Sequence, residues 1–165
     1  MKKPVWQQGL VVSGFIAIGK STVALQTSQE SIDGYEIVDL DSSKFSFLSD
    51  GSRNPLWLDQ YLRQIKRLLK LSCIVLVSAH ADLRKALCSA GIYFATVRPG
   101  AECKDDYIRR IRARGDDRLT TLLDINWDNF VADCGQLPGS RMYPLTQGEY
   151  LTKEVLSRLI KEFKN

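Results

Sequence analysis

Residues 10 to 22, with the sequence LVVSGFIAIGKST, constrain the fold of this chain more than any other segment. Gly14, Gly19, Lys20 and Ser21 occupy the fixed positions of the pattern G-x-x-x-x-G-K-[ST]. An apolar, strand-like run precedes the pattern and a helix-compatible run follows it, which is the context of a phosphate-binding P-loop. The glycines let the backbone curl until successive N–H groups converge on phosphate oxygens, and the helix N-terminus adds a positive dipole end. The segment therefore predicts a nucleotide-phosphate site between a strand and a helix; the plainer alternative is a glycine-rich turn without a ligand.

Two side chains of this loop have specific expected roles. Lys20 has the reach to contact the β- and γ-phosphates, and the Ser21 hydroxyl is suited to ligate Mg²⁺. The nucleotide contacts predicted in the loop come from Gly14, Ile16, Ala17, Ile18, Gly19, Lys20, Ser21 and Thr22.

The composition is that of an ordinary globular chain. Its 165 residues fit a single domain, with 44% apolar and 25% charged residues. The net charge of +4 suits a small anionic molecule but is too weak to indicate nucleic acid by itself. The four cysteines form no C-x-x-C pair, which favours reduced thiols in the cytoplasm over disulfides or zinc. No apolar run approaches the roughly 18 residues of a membrane span, and no signal-peptide cleavage site follows the N-terminus.

Strand-like and helix-like segments alternate along the chain. The predicted strands cover residues 10–12, 35–40, 73–77, 92–97 and 142–145. The predicted helices cover residues 21–29, 58–69, 82–90, 104–114, 119–134 and 151–163. Residues 42–55 are polar and rich in turn signals, and Pro144 would confine the last strand to a sheet edge. The alternation predicts an α/β fold in one domain over residues 1–165, with a parallel sheet between helices on both faces.

Two aspartates end the second predicted strand. Asp39 and Asp41 are separated by one residue, at the sheet edge where the P-loop also lies. One carboxylate can hold Mg²⁺ through water, and the other can bind or deprotonate an acceptor hydroxyl. The alternative is a pair that caps the following turn by bonding Ser42 and Ser43.

A basic helix follows the fourth predicted strand. Arg110 and Arg114 are four residues apart and share one helical face. Guanidinium groups that arrive as the site closes would neutralise the charge of a phosphoryl group in transfer. The alternative is a solvated face balanced by neighbouring aspartates.

Cations and aromatic residues are interleaved after Asp41. Lys44, Phe45, Arg53 and Trp57 lie in the loop at the carboxyl edge of the sheet. They can stack a base and clamp a phosphate, or the aromatic residues can simply cap the core.

These motifs together resemble the nucleoside monophosphate kinase-like branch of P-loop proteins, which includes shikimate and gluconate kinases. The D-x-x-G and N-K-x-D signatures of GTPases are absent. The chain is most similar to the small nucleotide-kinase-like proteins of phages and bacteria. The matching stretches are residues 11–22, 38–47, 53–55, 75–80, 107–115, 126–128 and 148–151.

The resemblance implies a P-loop NTPase fold of three α/β/α layers, with strand order 2-3-1-4-5. It implies ATP as the donor, Mg²⁺ near Ser21 and Asp39, and a nucleobase site near Gly148. It further implies an acceptor-binding insert at about residues 42–57 and a short helical lid at about 99–118.

The resemblance also assigns residues to the acceptor and to the lid. The acceptor site would be built from Asp41, Lys44, Phe45 and Arg53, while Arg110 and Arg114 would act from the lid. One departure concerns the third strand, which leads into Ser78-Ala79-His80 where monophosphate kinases usually have an acid. His80 then either bonds an acceptor phosphate or is a structural hydrogen-bonding residue.

The leading prediction is an ATP-dependent kinase of a small anionic acceptor, a (deoxy)nucleoside monophosphate, with Lys20, Asp41, Arg110 and Arg114 as catalytic candidates. One alternative is a kinase of a hydroxyl group, on a small metabolite or a nucleic-acid 5′ end, with Asp41 as the base. A different class is an ATP-binding regulatory or interaction protein without acceptor turnover.

Overall fold

The computed structural model describes residues 3–165, and the strands of this part of the chain form one parallel sheet. The strands are β1 (Leu10–Gly14), β2 (Glu36–Asp39), β3 (Cys73–Ser78), β4 (Phe94–Pro99) and β5 (Ser140–Leu145). Their order is β2-β3-β1-β4-β5, so the expected five-stranded sheet and its strand order are confirmed. Strand β5 lies at the edge, as Pro144 required.

Helices connect these strands. They are α1 (Lys20–Gln26), α2 (Ser43–Ser46), α3 (Trp57–Leu68), α4 (Ala81–Ser89), α5 (Lys104–Ala113), α6 (Asp117–Asp133) and α7 (Lys153–Lys164). Helix α2 lies in the segment predicted as turns, because four residues are too few to show helical periodicity. Helix α1 ends three residues before its predicted end, and β4 begins two residues after its predicted start. None of the helices in residues 3–165 has the length and apolar content needed to cross a bilayer.

The sheet separates two apolar layers, because successive side chains of a strand point to opposite faces. Leu10 and Val12 of β1 pack with helices α5, α6 and α7, whereas Val11 packs with α3 and α4. Helices therefore cover both faces, which confirms the three-layer arrangement.

The parallel register brings the ends of three strands to one edge of the sheet. Gly14 at the end of β1 pairs with Ser78 at the end of β3, and Asp39 ends the neighbouring β2. In open α/β sheets, ligands bind at this carboxyl edge. The P-loop, the aspartates and the Ser78–His80 segment therefore meet at one place.

Arg84 is a buried cation that joins helix α4 to the end of α6. Its side chain donates to Oγ1 of Thr96 at 3.2 Å and to the backbone carbonyls of Asp133 and Gly135. Only 1% of the residue is exposed, so the guanidinium depends on these protein acceptors for its hydrogen bonds.

Replacing Arg84 with methionine is therefore expected to lower the free energy of unfolding by about 3 kcal/mol, since two partly buried carbonyls lose their charged donor. Chemical denaturation would measure the change. The matched control is Lys85→Met, which alters the exposed neighbour on the same helix and should cost less than about 0.5 kcal/mol. Equal effects of the two substitutions would contradict a capping role for Arg84.

Candidate active site

The P-loop joins β1 to α1 through a tightly curled backbone. Ala17 and Gly19 adopt left-handed conformations, with φ of 60° and 104°. A Cβ atom on Gly14 would lie 2.9 Å from Cδ of Lys20, so a side chain at position 14 would displace the lysine. The two glycines of the pattern are therefore explained, one by close approach and one by backbone conformation.

Lys20 begins helix α1, and its ammonium group lies inside the loop. Nζ donates to the carbonyl oxygens of Gly14 at 2.8 Å and Phe15 at 3.3 Å. Burial lowers the pKa of Lys20 to about 8, with a further decrease from the charge of Arg114 and an opposing increase from Asp39. The lysine lies where a phosphate tail in the loop would meet it.

Ser21 and Asp39 form an exposed oxygen pair beside this lysine. The Ser21 hydroxyl donates to Oδ2 of Asp39 at 3.1 Å. Mg²⁺ prefers oxygen ligands and is usually held by one or two carboxylates together with phosphates and water. Ser21 and Asp39 thus present one hydroxyl and one carboxylate to a Mg²⁺ that also binds nucleotide phosphates.

Asp41 lies next to this pair but is bonded to its own turn. Its carboxylate accepts from the backbone N–H of Ser43 at 2.9 Å and from the Ser43 hydroxyl at 2.7 Å. This is the capping arrangement that the sequence left open as an alternative. The two bonds hold the pKa of Asp41 below its ordinary value, because they stabilise the carboxylate. Asp41 is therefore a weak proton acceptor in this conformation.

A cavity of about 170 Å³ opens between helices α3 and α4 at the same sheet edge. It is lined by Ser42, Ser46, Arg53, Trp57, His80, Ala81 and Asp82. Arg53 and His80, two of the predicted acceptor residues, thus share one cavity. No carboxylate of residues 3–165 forms a salt bridge with Arg53.

Lys44 and Phe45 do not line this cavity. The ring centroid of Phe45 lies 5.1 Å from that of Tyr61, in the apolar layer between the sheet and helices α3 and α4. This packing favours the alternative in which Phe45 caps the core. Lys44 is exposed on helix α2.

His80 lies at the rim of the cavity, directly before helix α4. Partial burial of the ring and the nearby positive charge of Lys20 lower the pKa of His80 below its ordinary value. The imidazole is therefore neutral at neutral pH and can donate or accept a hydrogen bond. His80 follows Ser78, which pairs with Gly14 at the end of β1, so the cavity adjoins the P-loop.

Arg110 points into the protein rather than toward solvent. It is 9% exposed, and it donates to the Asp106 carboxylate at 2.6 Å and to the carbonyls of Glu149 at 2.8 Å and Ala17 at 3.3 Å. The Asp106 carboxylate also accepts from the backbone N–H of Gly148 at 3.1 Å. Arg110 therefore joins helix α5 both to the P-loop and to the loop that the resemblance places near the nucleobase.

Arg114 has a different environment, directly after the last residue of helix α5. It lies in the exposed stretch of residues 112–118, which runs from the end of α5 to the start of α6. Within residues 3–165, no carboxylate forms a salt bridge with it, and its charge contributes to the lowered pKa of Lys20. Of the two predicted lid arginines, this one is free to approach a phosphate. The predicted lid at 99–118 remains a prediction, and residues 112–118 are its longest exposed run.

Two aromatic contacts of Arg110 were missed by sequence reasoning, whereas balance by a neighbouring aspartate was one of its alternatives. Asp106 pairs with the guanidinium, and the rings of Tyr107 and Tyr150 have centroids 4.3 and 3.7 Å from its Cζ atom. The spacing of four residues between Asp106 and Arg110 was a usable signal for an ion pair. The contribution of Tyr150 had no local signal, since it lies 40 residues away in sequence.

Replacing Arg110 with alanine is expected to lower the free energy of unfolding by about 3 kcal/mol, because the mostly buried Asp106 carboxylate would lose its partner. Denaturant titration would measure the loss. The control is Arg109→Ala, whose side chain is 68% exposed and lies 3.8 Å from the same carboxylate. Such an exposed pair should contribute less than about 1 kcal/mol. A smaller loss for Arg110 than for Arg109 would contradict the structural role.

Nucleotide binding is expected to take up protons near pH 8. With a pKa of about 8, roughly half of the Lys20 side chains are neutral at that pH, and a bound triphosphate favours the ammonium form. Affinity should therefore fall as pH rises above about 8, with uptake of about 0.5 proton per site at that pH. Calorimetry in buffers of different ionisation enthalpy measures the uptake. Lys20→Arg, which stays charged, should abolish it; equal uptake by both proteins would exclude Lys20 as the source.

Several solved structures resemble nearly the whole chain, and two of them illustrate the likeness. A gluconokinase from Sinorhizobium meliloti 1021 matches 97% of this chain and 95% of its own, with a TM-score of 0.56 and 16% sequence identity. A shikimate kinase from Bacteroides thetaiotaomicron matches 94% of this chain and 97% of its own, with a TM-score of 0.55 and 11% identity. The chain therefore has the fold of small P-loop kinases.

No protein-family model matches the sequence, and no curated protein matches it.

Proposed function

We propose that this chain is an ATP-dependent phosphotransferase whose acceptor is a small anion, a (deoxy)nucleoside monophosphate. The observation that carries the proposal is the shared sheet edge. The P-loop lysine, the Ser21–Asp39 oxygen pair and a cavity with an unpaired arginine all lie there. A donor site and an acceptor site are thus adjacent, as phosphoryl transfer requires.

Each residue of the site has a role that follows from its position. The curled backbone and Lys20 bind the phosphate tail, and Ser21 and Asp39 are the groups that would hold Mg²⁺ with it. When bound, Mg²⁺ neutralises charge that develops on the phosphate oxygens. Arg114 approaches from the exposed stretch 112–118 and stabilises the transferred group.

The state of Asp41 favours a phosphate acceptor over an alcohol. A hydroxyl acceptor loses its proton during transfer, and Asp41 is the predicted base. Its two bonds from Ser43 and its lowered pKa make it a weak one. A phosphate acceptor needs no base, and Arg53 with neutral His80 can bind its oxygens.

A hydroxyl acceptor is the second candidate, because the two similar structures are named as a gluconokinase and a shikimate kinase. In that case Asp41 must leave Ser43 to reach the hydroxyl. A nucleic-acid 5′ end is the larger member of this class. We further propose that the protein acts in the cytoplasm, since its four cysteines are free thiols.

The test is acceptor-dependent release of ADP by the purified wild-type protein with Mg-ATP. The panel contains nucleoside monophosphates, nucleosides, sugar acids and a 5′-hydroxyl oligonucleotide. Turnover with a monophosphate is the expected result. Turnover with a sugar acid or an oligonucleotide alone supports the hydroxyl kinase, and Mg-ATP binding without turnover on any acceptor supports the regulatory class.

Arg53→Ala gives an independent check on the acceptor cavity. If Arg53 binds the acceptor, this variant should raise the KM for the acceptor and leave the KM for ATP within about twofold. Arg63→Ala, an exposed arginine on helix α3, is the matched control. An unchanged acceptor KM in Arg53→Ala would place the acceptor elsewhere.

A further inference from the structure

Helix α3 carries a row of cations on its outer face. Arg63, Lys66 and Arg67 have the spacing i, i+3 and i+4, which places them on one side of the helix. Lys70 follows in the turn that continues the helix, where its backbone N–H bonds the Arg67 carbonyl at 3.4 Å. All four residues are exposed, because the opposite face of α3 packs against the sheet. These four residues together form the basic stripe.

The charge of the basic stripe is not balanced by acids. Within residues 3–165, none of its side chains forms a salt bridge, whereas other cations such as Lys104 and Arg141 are paired with carboxylates. Residues 57–71 contain four cations and one carboxylate, Asp59, which gives a net charge of +3 where the whole chain has +4. Most of the net positive charge of the protein therefore lies on this helix and the turn after it.

Three exposed apolar residues lie at the end of the basic stripe. Leu71 directly follows Lys70 and is 61% exposed. Val5 is fully exposed and Trp6 is 43% exposed, although neither has a role in the proposed chemistry. Val5, Trp6 and Leu71 together form the apolar tip. Exposed apolar groups that adjoin charged ones are typical of interaction surfaces.

Backbone hydrogen bonds hold the apolar tip beside the end of α3. The N–H of Gln7 donates to the Pro4 carbonyl at 3.0 Å, which closes a turn with Val5 and Trp6 at its corner. The N–H groups of Gln8 and Gly9 then donate to the Leu69 carbonyl at 2.9 and 3.0 Å. Strand β1 begins after this turn and runs toward the P-loop, so the apolar tip lies at the sheet edge opposite the P-loop.

We propose that the basic stripe and the apolar tip dock this protein on a membrane surface that contains anionic lipid headgroups. Each Lys or Arg near such a surface strengthens binding about fivefold. Apolar side chains that enter the boundary between headgroups and acyl chains add a second attachment, and stable peripheral binding requires two. The proposal goes beyond catalysis, and a docked protein keeps its P-loop open to solution because the tip lies at the opposite edge.

The apolar tip favours lipid over a nucleic acid as the anionic partner. Proteins that bind single strands combine cations with aromatic rings on which the bases stack. Only Trp6 of the tip has such a ring, whereas Val5 and Leu71 are aliphatic and fit a hydrocarbon environment. Tryptophan itself is enriched at membrane interfaces, where one end of the ring is wet and the other is apolar.

Co-sedimentation of the full chain with lipid vesicles tests the docking. The vesicles contain phosphatidylcholine alone, or phosphatidylcholine with about one third phosphatidylserine, and the wild type should bind the anionic vesicles at least about tenfold more tightly. Replacing both Arg63 and Arg67 with glutamine should lower the partition coefficient about 25-fold, as two fivefold steps. Added salt should weaken the binding of the wild type, because it screens the headgroup charge.

Replacing both Arg112 and Arg118 with glutamine is the matched control for net charge. These arginines are exposed between α5 and α6, away from the basic stripe, and their loss removes the same charge. The control should bind anionic vesicles within about threefold of the wild type, since screening confines the attraction to cations near the surface. Equal losses in the two double variants would contradict docking through α3.

Trp6 supplies a separate test of the apolar tip. Trp6→Ser should lower the partition coefficient about tenfold, because an apolar ring no longer leaves water. The tryptophan emission of the wild type should shift to shorter wavelength on anionic vesicles. Trp6→Phe should bind within about threefold but without this shift, since Trp127 is buried and Trp57 lies at the acceptor cavity. If Trp6→Ser does not fold, Leu71→Ser should show a loss of the same order.

The remaining outcomes would overturn the proposal. They are equal binding to neutral and anionic vesicles, no binding to either, or an unchanged partition coefficient in the Arg63 and Arg67 double variant. Tighter binding of a single-stranded oligonucleotide than of anionic vesicles, lost in the same double variant, would assign the stripe to nucleic acid instead. Mg-ATP binding and turnover without vesicles should be unchanged in this variant, so failure of the docking and failure of the proposed function are observed separately.

Discussion

Lys20→Ala is expected to lower kcat for phosphoryl transfer about a thousandfold, the upper range for removing one preorganised charged donor from a transition state. The ammonium group lies inside the P-loop, 2.8 Å from the Gly14 carbonyl, where it would meet the phosphates that carry the developing charge. Steady-state kinetics with saturating acceptor would measure the loss.

The fold should survive this substitution. Burial disfavours the charged form of Lys20, so its removal relieves a desolvation cost, and the melting temperature should change by no more than a few degrees. Lys66→Ala, on the exposed face of helix α3, is the control and should keep wild-type turnover. A loss of less than about tenfold in Lys20→Ala would exclude the lysine from the chemical step.

Arg114→Ala is expected to have an effect of similar size, a decrease in kcat of about a thousandfold, as found where an arginine stabilises a transferred phosphoryl group. Arg114 is exposed and has no salt-bridge partner within residues 3–165. Its charge nevertheless helps to lower the pKa of Lys20. Because the interaction forms during transfer, the dissociation constant of Mg-ATP should stay within about threefold.

Arg112→Ala tests whether position matters or only charge. Arg112 is two residues away on the same exposed stretch, and its removal changes the net charge equally. Turnover should fall by less than about threefold. If both variants lose turnover to the same extent, the basic stretch acts as a diffuse field and Arg114 has no individual role.

The parts of the site that follow from local sequence could be predicted. The P-loop is one continuous segment, and the approach of Ser21 to Asp39 follows from the rule that parallel strands end at one edge. Arg53 and His80 share one cavity for a related reason, since His80 follows β3 and Arg53 lies in the segment between β2 and α3.

The parts that depend on distant segments could not be predicted. A shared helical face suggested that Arg110 and Arg114 act together, but Arg110 lies within the apolar stripe of α5, between Tyr107 and Ile111. Burial of such a residue needs partners for its donors, and these come from the P-loop and from the loop before α7. The sequence allowed Asp41 either to act on an acceptor or to cap the following turn. The structure favours capping, because Ser43 begins helix α2 and bonds the Asp41 carboxylate.

Equilibrium titration of the wild-type protein with Mg-ATP measures whether residues 14–21 hold a nucleotide through its phosphates. Saturable binding at one site per chain is expected, with a dissociation constant below about 1 mM and competition by Mg-tripolyphosphate. No detectable binding at several millimolar Mg-ATP, or binding that is unchanged by tripolyphosphate and by Lys20→Ala, would contradict it.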